Sequence, residues 1–525
     1  MTTTYHRHLA VALLFFLQIA ASAQDVDQWH LLDPQVDGIE GVSVDKGHAL
    51  LGNKKLEPVI VAVIDDGVDI SHPAFRGKIY VNKAEIAGNG KDDDGNNYVD
   101  DREGWNYLGN PLGEHISAAN MEVTRLYRAY KQTYETVNPE ELDKKAKVEY
   151  QKYANYKALY EAQLEEANGQ FEEWAQIAAL YQGAYSYMAE KLGEETITLD
   201  ALMAFETKDE GDMELRNFLM MAEAEGLRQE LGEAGEELQE AFKYHLNLDF
   251  DPRQIVNEAQ AQQLGIAYGN PIVNAANPKH GTHVAGIIAA DRRPESSIRG
   301  IAKNAILLPL RAVPNGDERD EDVALAIRYA VDQGARVINM SFGKSLSPNR
   351  ELVDEAIQYA ASKDVLLIHA AGNDGENIDR VPNFPNGSLG KKHALPNWIT
   401  VGAAGQIADS LYLADFSNYG RKQVDIVAPG IDIWSLAPDS AFVKYSGTSM
   451  AAPVVSGIAV VLRGAYPTLS ASEIKKIICL SVSDLGNLKV IYADGFEPLK
   501  KIVRCPGTPS LYRALEIAEQ RHGKK

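Results

Sequence analysis

The chain has 525 residues, 45% of them apolar, and a formal net charge of -22. That length and apolar content allow a large core and more than one folding unit, while the acidic balance excludes nucleic acid as a partner. Only two cysteines occur, Cys479 and Cys505; in an oxidising compartment they bridge, and in a reducing one they stay core thiols.

Residues 1–23 carry one fixed positive charge, Arg7, then a mostly apolar run from Leu9 to Ala20 and the small residues Ala21-Ser22-Ala23. This pattern predicts a signal peptide cleaved after Ala23 and a secreted or periplasmic protein. The run is too short to span a bilayer comfortably, so no membrane insertion is expected once it is removed.

Val59-Ile60-Val61-Ala62-Val63-Ile64-Asp65 is a β-branched run that predicts a fully buried strand with an acid at its carboxyl end, where open α/β sheets keep their sites. The following Asp66-Gly67 also fits an ordinary turn. Further on, Asp92, Asp94, Asn96 and Asp100 fall at alternate positions of an Asp/Asn/Gly-rich loop. Hard cations take six to eight oxygens, so this is either a metal loop or a cluster of solvated turns.

From 114 to 246 the composition changes to Ala, Glu, Leu, Lys, Gln and Tyr, with helix starts at Asn138-Pro139-Glu140-Glu141 and Thr198-Leu199-Asp200. Val123, Leu126, Tyr127 and Tyr130 repeat at helical spacing, as do Leu227, Leu231 and Leu238, predicting several antiparallel helices. Residues 111–270 hold 17 more acids than bases. The segment is a solvated acidic outgrowth or a regulatory, partner-binding element that shapes access to a cleft.

His280-Gly281-Thr282-His283 opens an apolar, Gly/Ala-rich helix. Val337-Ile338-Asn339-Met340 predicts another strand, leading into Ser341, Phe342 and Gly343. A buried strand at 366–371, with His369 as a core histidine, ends in Gly372-Asn373-Asp374-Gly375. Gly447-Thr448-Ser449-Met450-Ala451-Ala452-Pro453 then puts a serine where a loop meets a helix that is apolar nearly all round. Such a serine is an N-cap or a nucleophile served by the unpaired N–H groups of the first turn. Ser470 with Glu473 predicts a helix start, and 511–520 a terminal helix.

Taken in the order Asp, His, Ser, these segments resemble the subtilisin-like serine proteases (subtilases). The resemblance implies an α/β fold with a parallel sheet and helices on both faces, built from 24–113 and 247–525, with 114–246 as an inserted all-helical subdomain. It implies a serine endopeptidase acting on protein or peptide substrates, with Asp65, His280 and Ser449 as catalytic triad and Asn373 in the oxyanion hole. Ser341, Phe342 and Gly343 correspond to the substrate-binding strand edge, and His283 to the family's non-catalytic second histidine. No catalytic cofactor is implied; a structural calcium at Asp92, Asp94, Asn96 and Asp100 is. Two features depart from the family: Asp65 and His280 lie 215 residues apart, where a few tens are expected, and Asp66 stands where the family has Ser or Thr. An alternative function is a protease-like binding protein that acts through its helical insertion.

Overall fold

A computed structural model describes residues 27–293, 296–389 and 395–522; the expected signal peptide lies outside them. The chain divides into two compact units, Val123–Asp251 and the remainder, in which residues 23–122 join 252–525.

The larger unit is built on a seven-stranded sheet. Its strands are β1 (Val59–Asp65), β2 (Trp105–Asn106), β3 (Ala305–Arg311), β4 (Val337–Met340), β5 (Leu366–Ala370), β6 (Trp398–Ala404) and β7 (Ile426–Pro429), in the spatial order β2-β3-β1-β4-β5-β6-β7. All pairings are parallel, with Asp65 opposite Arg311 and Ile64 opposite Met340. Side chains alternate across a strand. Val59, Val61 and Val63 therefore enter one apolar cluster, with the helices α2 (Lys279–Ala289) and α5 (Thr448–Ala465). Ala62 and Ile64 enter the other, with α3 (Asp320–Asp332) and α4 (Arg350–Ser362). Burial on both faces is why β1 reads as a continuous apolar run.

Helix α5 is long and apolar enough to cross a membrane by composition, yet 94% of that stretch is buried inside the protein. It packs against α2 and the sheet. Helix α6 (Ala471–Leu480) starts in a capping box between Ser470 and Glu473, and α7 (Leu511–His522) closes the chain. Cys479 on α6 is disulfide-bonded to Cys505, their Cα atoms 5.4 Å apart.

The smaller unit is helical throughout. Its main element, Lys144–Leu192, is a single helix of 49 residues, about 74 Å at 1.5 Å per residue. Asp143 caps it, and Gly193 stops it in the left-handed region at φ 70°. Tyr181, Ala184 and Met188 form a small core with Leu202, Leu219 and Leu227 from the helices that follow. The Trp174 indole donates to Leu231 O at 2.8 Å. A Cβ at position 235 would lie 2.5 Å from that ring, so Gly235 makes room for it. Residues 114–122, expected in the insertion, belong to the larger unit: Ile116 N–H donates to Leu108 O and Ala119 N–H to Asn315 O.

Candidate active site

Three sheet ends and two helix starts converge on the site. Strand β1 delivers Asp65, whose buried Oδ1 accepts from Asp66 N–H at 2.9 Å and lies 2.7 Å from His280 Nδ1. His280 is the second residue of α2, and the close approach requires the glycine beside it. A Cβ on Gly281 would fall 2.0 Å from Gly67 O. With Nδ1 committed to Asp65, Nε2 remains for chemistry, and 36% of the imidazole side chain is open to solvent. Burial alone lowers the basicity of this ring. The Asp65 charge and hydrogen bond outweigh it, Asp66 adds to them, and the pKa is held at about 9.

His283, one turn on, is fully buried. Its Nε2 lies 2.9 Å from Ile433 O and 3.2 Å from Val443 O, and burial, aided by the neighbouring His280, lowers its pKa to about 3. It is a neutral ring that ties α2 to a hairpin. Burial likewise lowers His369 to about 4, and its ring packs against Trp398 and Phe342.

Ser449 is the second residue of α5. Pro453 lies inside the same helix and has no N–H to give the carbonyl four residues back. That carbonyl, Ser449 O, accepts instead from Ser341 Oγ at 2.9 Å, and Ser341 Oγ accepts from Asn339 Nδ2 at 3.0 Å. Ser456 Oγ donates to Asn339 Oδ1 at 2.8 Å, which completes a polar chain through an otherwise apolar contact. The Ser449 hydroxyl donates to Ser341 O at 3.1 Å. Thus Asp65 and His280 are joined, while Ser449 is turned to the segment that follows β4.

Asn373 follows β5. Its Oδ1 accepts from both Thr448 N–H (2.9 Å) and Thr448 Oγ (2.8 Å). Two donors on one atom identify it as the oxygen and leave the Nδ2 hydrogens as the edge next to Gly447 and Ser449. Gly372 N–H donates to Thr448 Oγ at 3.1 Å, so the two loops hold one another.

Beyond Ser341, Phe342 and Gly343, the chain pairs with Phe384: Lys344 N–H donates to Phe384 O and Phe384 N–H to Lys344 O. A Cβ at position 343 would lie 2.8 Å from Asn383 Oδ1, and Asn383 Nδ2 donates to Ala371 O at 2.7 Å. Asn383 therefore bridges the two strand ends that flank the cleft. Beneath them sits an ionic cluster: Lys344 Nζ is 2.8 Å from Glu122 and 2.9 Å from Asp320, and it donates to Glu318 O at 2.8 Å.

The Asp/Asn/Gly loop is only partly arranged as its spacing predicts. Asp92 and Asp94 converge with Glu85, which lies outside the spaced set; a carboxylate oxygen from each lies within 4.8 Å of the others. Asn96 lies beside them, its N–H donating to Asp92 Oδ1 at 3.1 Å and to Asp94 Oδ1 at 3.0 Å, while Asp100 does not join the three carboxylates. Asn96 Oδ1 accepts from Tyr98 N–H, and the Asp100 oxygens accept from Asn89 and Gly90 N–H. These short local bonds stabilise the turns, and the Asp92 and Asp94 oxygens accept similar ones from Gly95, Asn96 and Asn97 N–H. Glu85 Oε1 accepts from Asp93 and Asp94 N–H, whereas its Oε2 is buried without a partner. Glu85, Asp92 and Asp94 are oxygen donors of the type a hard cation takes.

Sequence reasoning missed Glu85, Asn339, Thr448 as holder of Asn373, and the Lys344 cluster. Asn339 carried a signal, a polar residue in an apolar strand. Glu85 carried none.

A serine, an imidazole and a carboxylate brought to the carboxyl edge of a parallel sheet define the class, a subtilisin-like α/β protein. The Subtilase family model matches residues 57–496, and the chain belongs to that family. It is similar to the thermophilic serine proteinase of Bacillus sp. (strain AK1), at 41% identity over 35% of this chain and 42% of the relative. It is also similar to the cell wall-associated protease of Bacillus subtilis (strain 168), at 38% over 43% and 24%, and to thermitase of Thermoactinomyces vulgaris, at 36% over 41% and 71%. The chain thus spans less than half the length of the first two. A solved structure, that of the prenylagaramide maturation protease PagA, matches 45% of this chain and 81% of its own at 30% identity, with a TM-score of 0.36.

Proposed function

We propose that this protein is a secreted serine endopeptidase. The single observation that carries the reading is the Asp65 to His280 bond of 2.7 Å beside an asparagine whose oxygen is doubly occupied. Ser449 Oγ swings from Ser341 O to His280 Nε2, a side-chain rotation of the kind that takes picoseconds to nanoseconds. It attacks the scissile carbonyl, and its proton passes to Nε2. The new Oγ–C bond gives a tetrahedral oxyanion facing Asn373 Nδ2 and the N–H groups at the start of α5. The C–N bond then breaks as Nε2 returns the proton to the leaving amine, and water hydrolyses the acyl-enzyme by the same route. Asp65 keeps the ring oriented and stabilises the imidazolium. An extended peptide pairs with Ser341, Phe342 and Gly343 as an added strand.

An organophosphonate that labels active serines is expected to label the wild type and not Ser449→Ala. Absence of labelling at any pH from 6 to 10 would favour a binding protein with a vestigial site.

The Cys479–Cys505 bond and the residues before Gln24 support secretion. We assign a structural calcium to Glu85, Asp92 and Asp94 on their convergence and the orphaned Glu85 oxygen. A chelator is expected to lower the Tm of the wild type but not of Glu85→Gln; equal Tm values with and without chelator would remove the assignment.

A further inference from the structure

We infer that Asp66 is a second working carboxylate of the site, a positioning residue that holds the backbone of His280 while Asp65 holds its ring, and whose charge sets the pH range of the base. The inference rests on the endopeptidase reading above.

The geometry is a two-point grip. Asp66 Oδ1 accepts from Gly281 N–H at 2.7 Å and its Oδ2 from His280 N–H at 3.3 Å. Both donors belong to the first turn of α2, whose unpaired N–H groups need acceptors. The helix supplies none itself: its N-cap is Pro278, which makes no side-chain capping bond. The cap is thus delivered from a strand 214 residues away in sequence. Because Asp66 directly follows Asp65, the last residue of β1, the end of one strand fixes both the backbone and the imidazole of the same residue. A serine or threonine at position 66 could accept one of these bonds. What a carboxylate adds is a second acceptor and a negative charge.

That charge acts among few others. From β1 it faces Asp65, and from α2 it faces His280. From β3 it faces Arg311, a buried guanidinium whose Nη atoms are bonded to Asn106 and Ile116 and whose Nε has no partner. His283 on α2 is neutral, and Asp69 in the turn after β1 accepts from Ser71. Burial and the adjacent Asp65 raise the Asp66 carboxyl to about 7, against the pull of His280 and the two N–H donors. Above that pH Asp66 is ionised, and its charge favours the protonated imidazole. The sign for catalysis follows directly. The base works as neutral imidazole, so raising its pKa moves the rise of kcat/KM to higher pH. The same charge stabilises the imidazolium formed in the transition state.

The test compares wild type with Asp66→Asn and Asp66→Ser, each of which keeps a capping oxygen and removes the charge. kcat/KM on a chromogenic peptide is measured from pH 5 to 10. In the Ser449→Ala background, the low-field proton resonance of His280 Nδ1–H is titrated over the same range. The expected result is that both variants keep a wild-type unfolding profile while the acid limb and the resonance titration shift down together by about one pH unit. Ser alone carries the test if Asn does not fold. Titrations in the charge-free variants that coincide with wild type overturn the inference and leave Asp66 as a cap only. A wild type that neither hydrolyses peptides nor takes the phosphonate label defeats the endopeptidase reading instead, and the resonance titration still decides the role of Asp66.

Discussion

At the scale of single residues, two side chains of the candidate site are each held by one polar atom that leaves the other open. His280 is fixed through Nδ1, leaving Nε2; Asn373 is fixed through Oδ1, leaving Nδ2. A donor that does not reorganise during the reaction stabilises charge more than mobile water can. Asn373→Ala is therefore expected to lower kcat by about 100- to 1,000-fold with KM nearly unchanged. Steady-state kinetics on a short peptide check this, and an equal loss in Asn373→Asp would show that the amide hydrogens, not packing, are responsible. Ser449, His280 and Asp65 could be singled out as candidates from the sequence, since each stands at one end of an apolar run, and the resemblance supplied their expected roles. The role of Thr448 could not, because its two bonds go to an asparagine 75 positions away.

Between elements, the substrate strand is secured from below. Lys344 is 2% exposed at its side chain, and its partners Glu122 and Asp320 are 8% and 4% exposed. A charge this deep persists only when it is paired. Lys344→Met removes the cation from between two buried carboxylates and is expected to cost about 3–5 kcal/mol, measurable by denaturant unfolding. The double variant Lys344→Met with Glu122→Gln is expected to recover part of that loss. Similarly, Pro453 leaves a carbonyl that Ser341 Oγ satisfies, so the helix carrying Ser449 and the segment after β4 are joined where a helix bond is missing. Periodicity predicted both elements correctly. The cross-links between them were illegible, because hydrogen bonds between distant polar residues leave no local pattern.

For the molecule as a whole, the interruption between Asp65 and His280 is tolerated because both flanks return to the larger unit, which closes its sheet with strands from each side. Loop-closure entropy rises only slowly with length, so a long insertion costs little if its ends meet. The Cys479–Cys505 bond closes a 26-residue separation near the end of the same unit. Its loss in Cys505→Ser paired with Cys479→Ser is expected to cost about 3–4 kcal/mol. Calorimetry with and without reductant checks it: reductant should lower the Tm of the wild type and leave the double variant unchanged.

The α/β architecture and the helical nature of the insertion were legible in the sequence itself, which also singled out Asp65, His280, Ser449 and Asn373 as candidates. Each depends on local pattern: apolar runs, small residues at helix starts, and composition. Only the tertiary structure decided how these parts are held. It joined the two cysteines, brought Glu85 rather than Asp100 to Asp92 and Asp94, and turned Asp66 from a residue after a strand into the cap of a helix 214 positions on. Those outcomes rest on distances between segments remote in sequence, and the physical reason is burial: a polar atom taken out of water must find a partner wherever the fold places one.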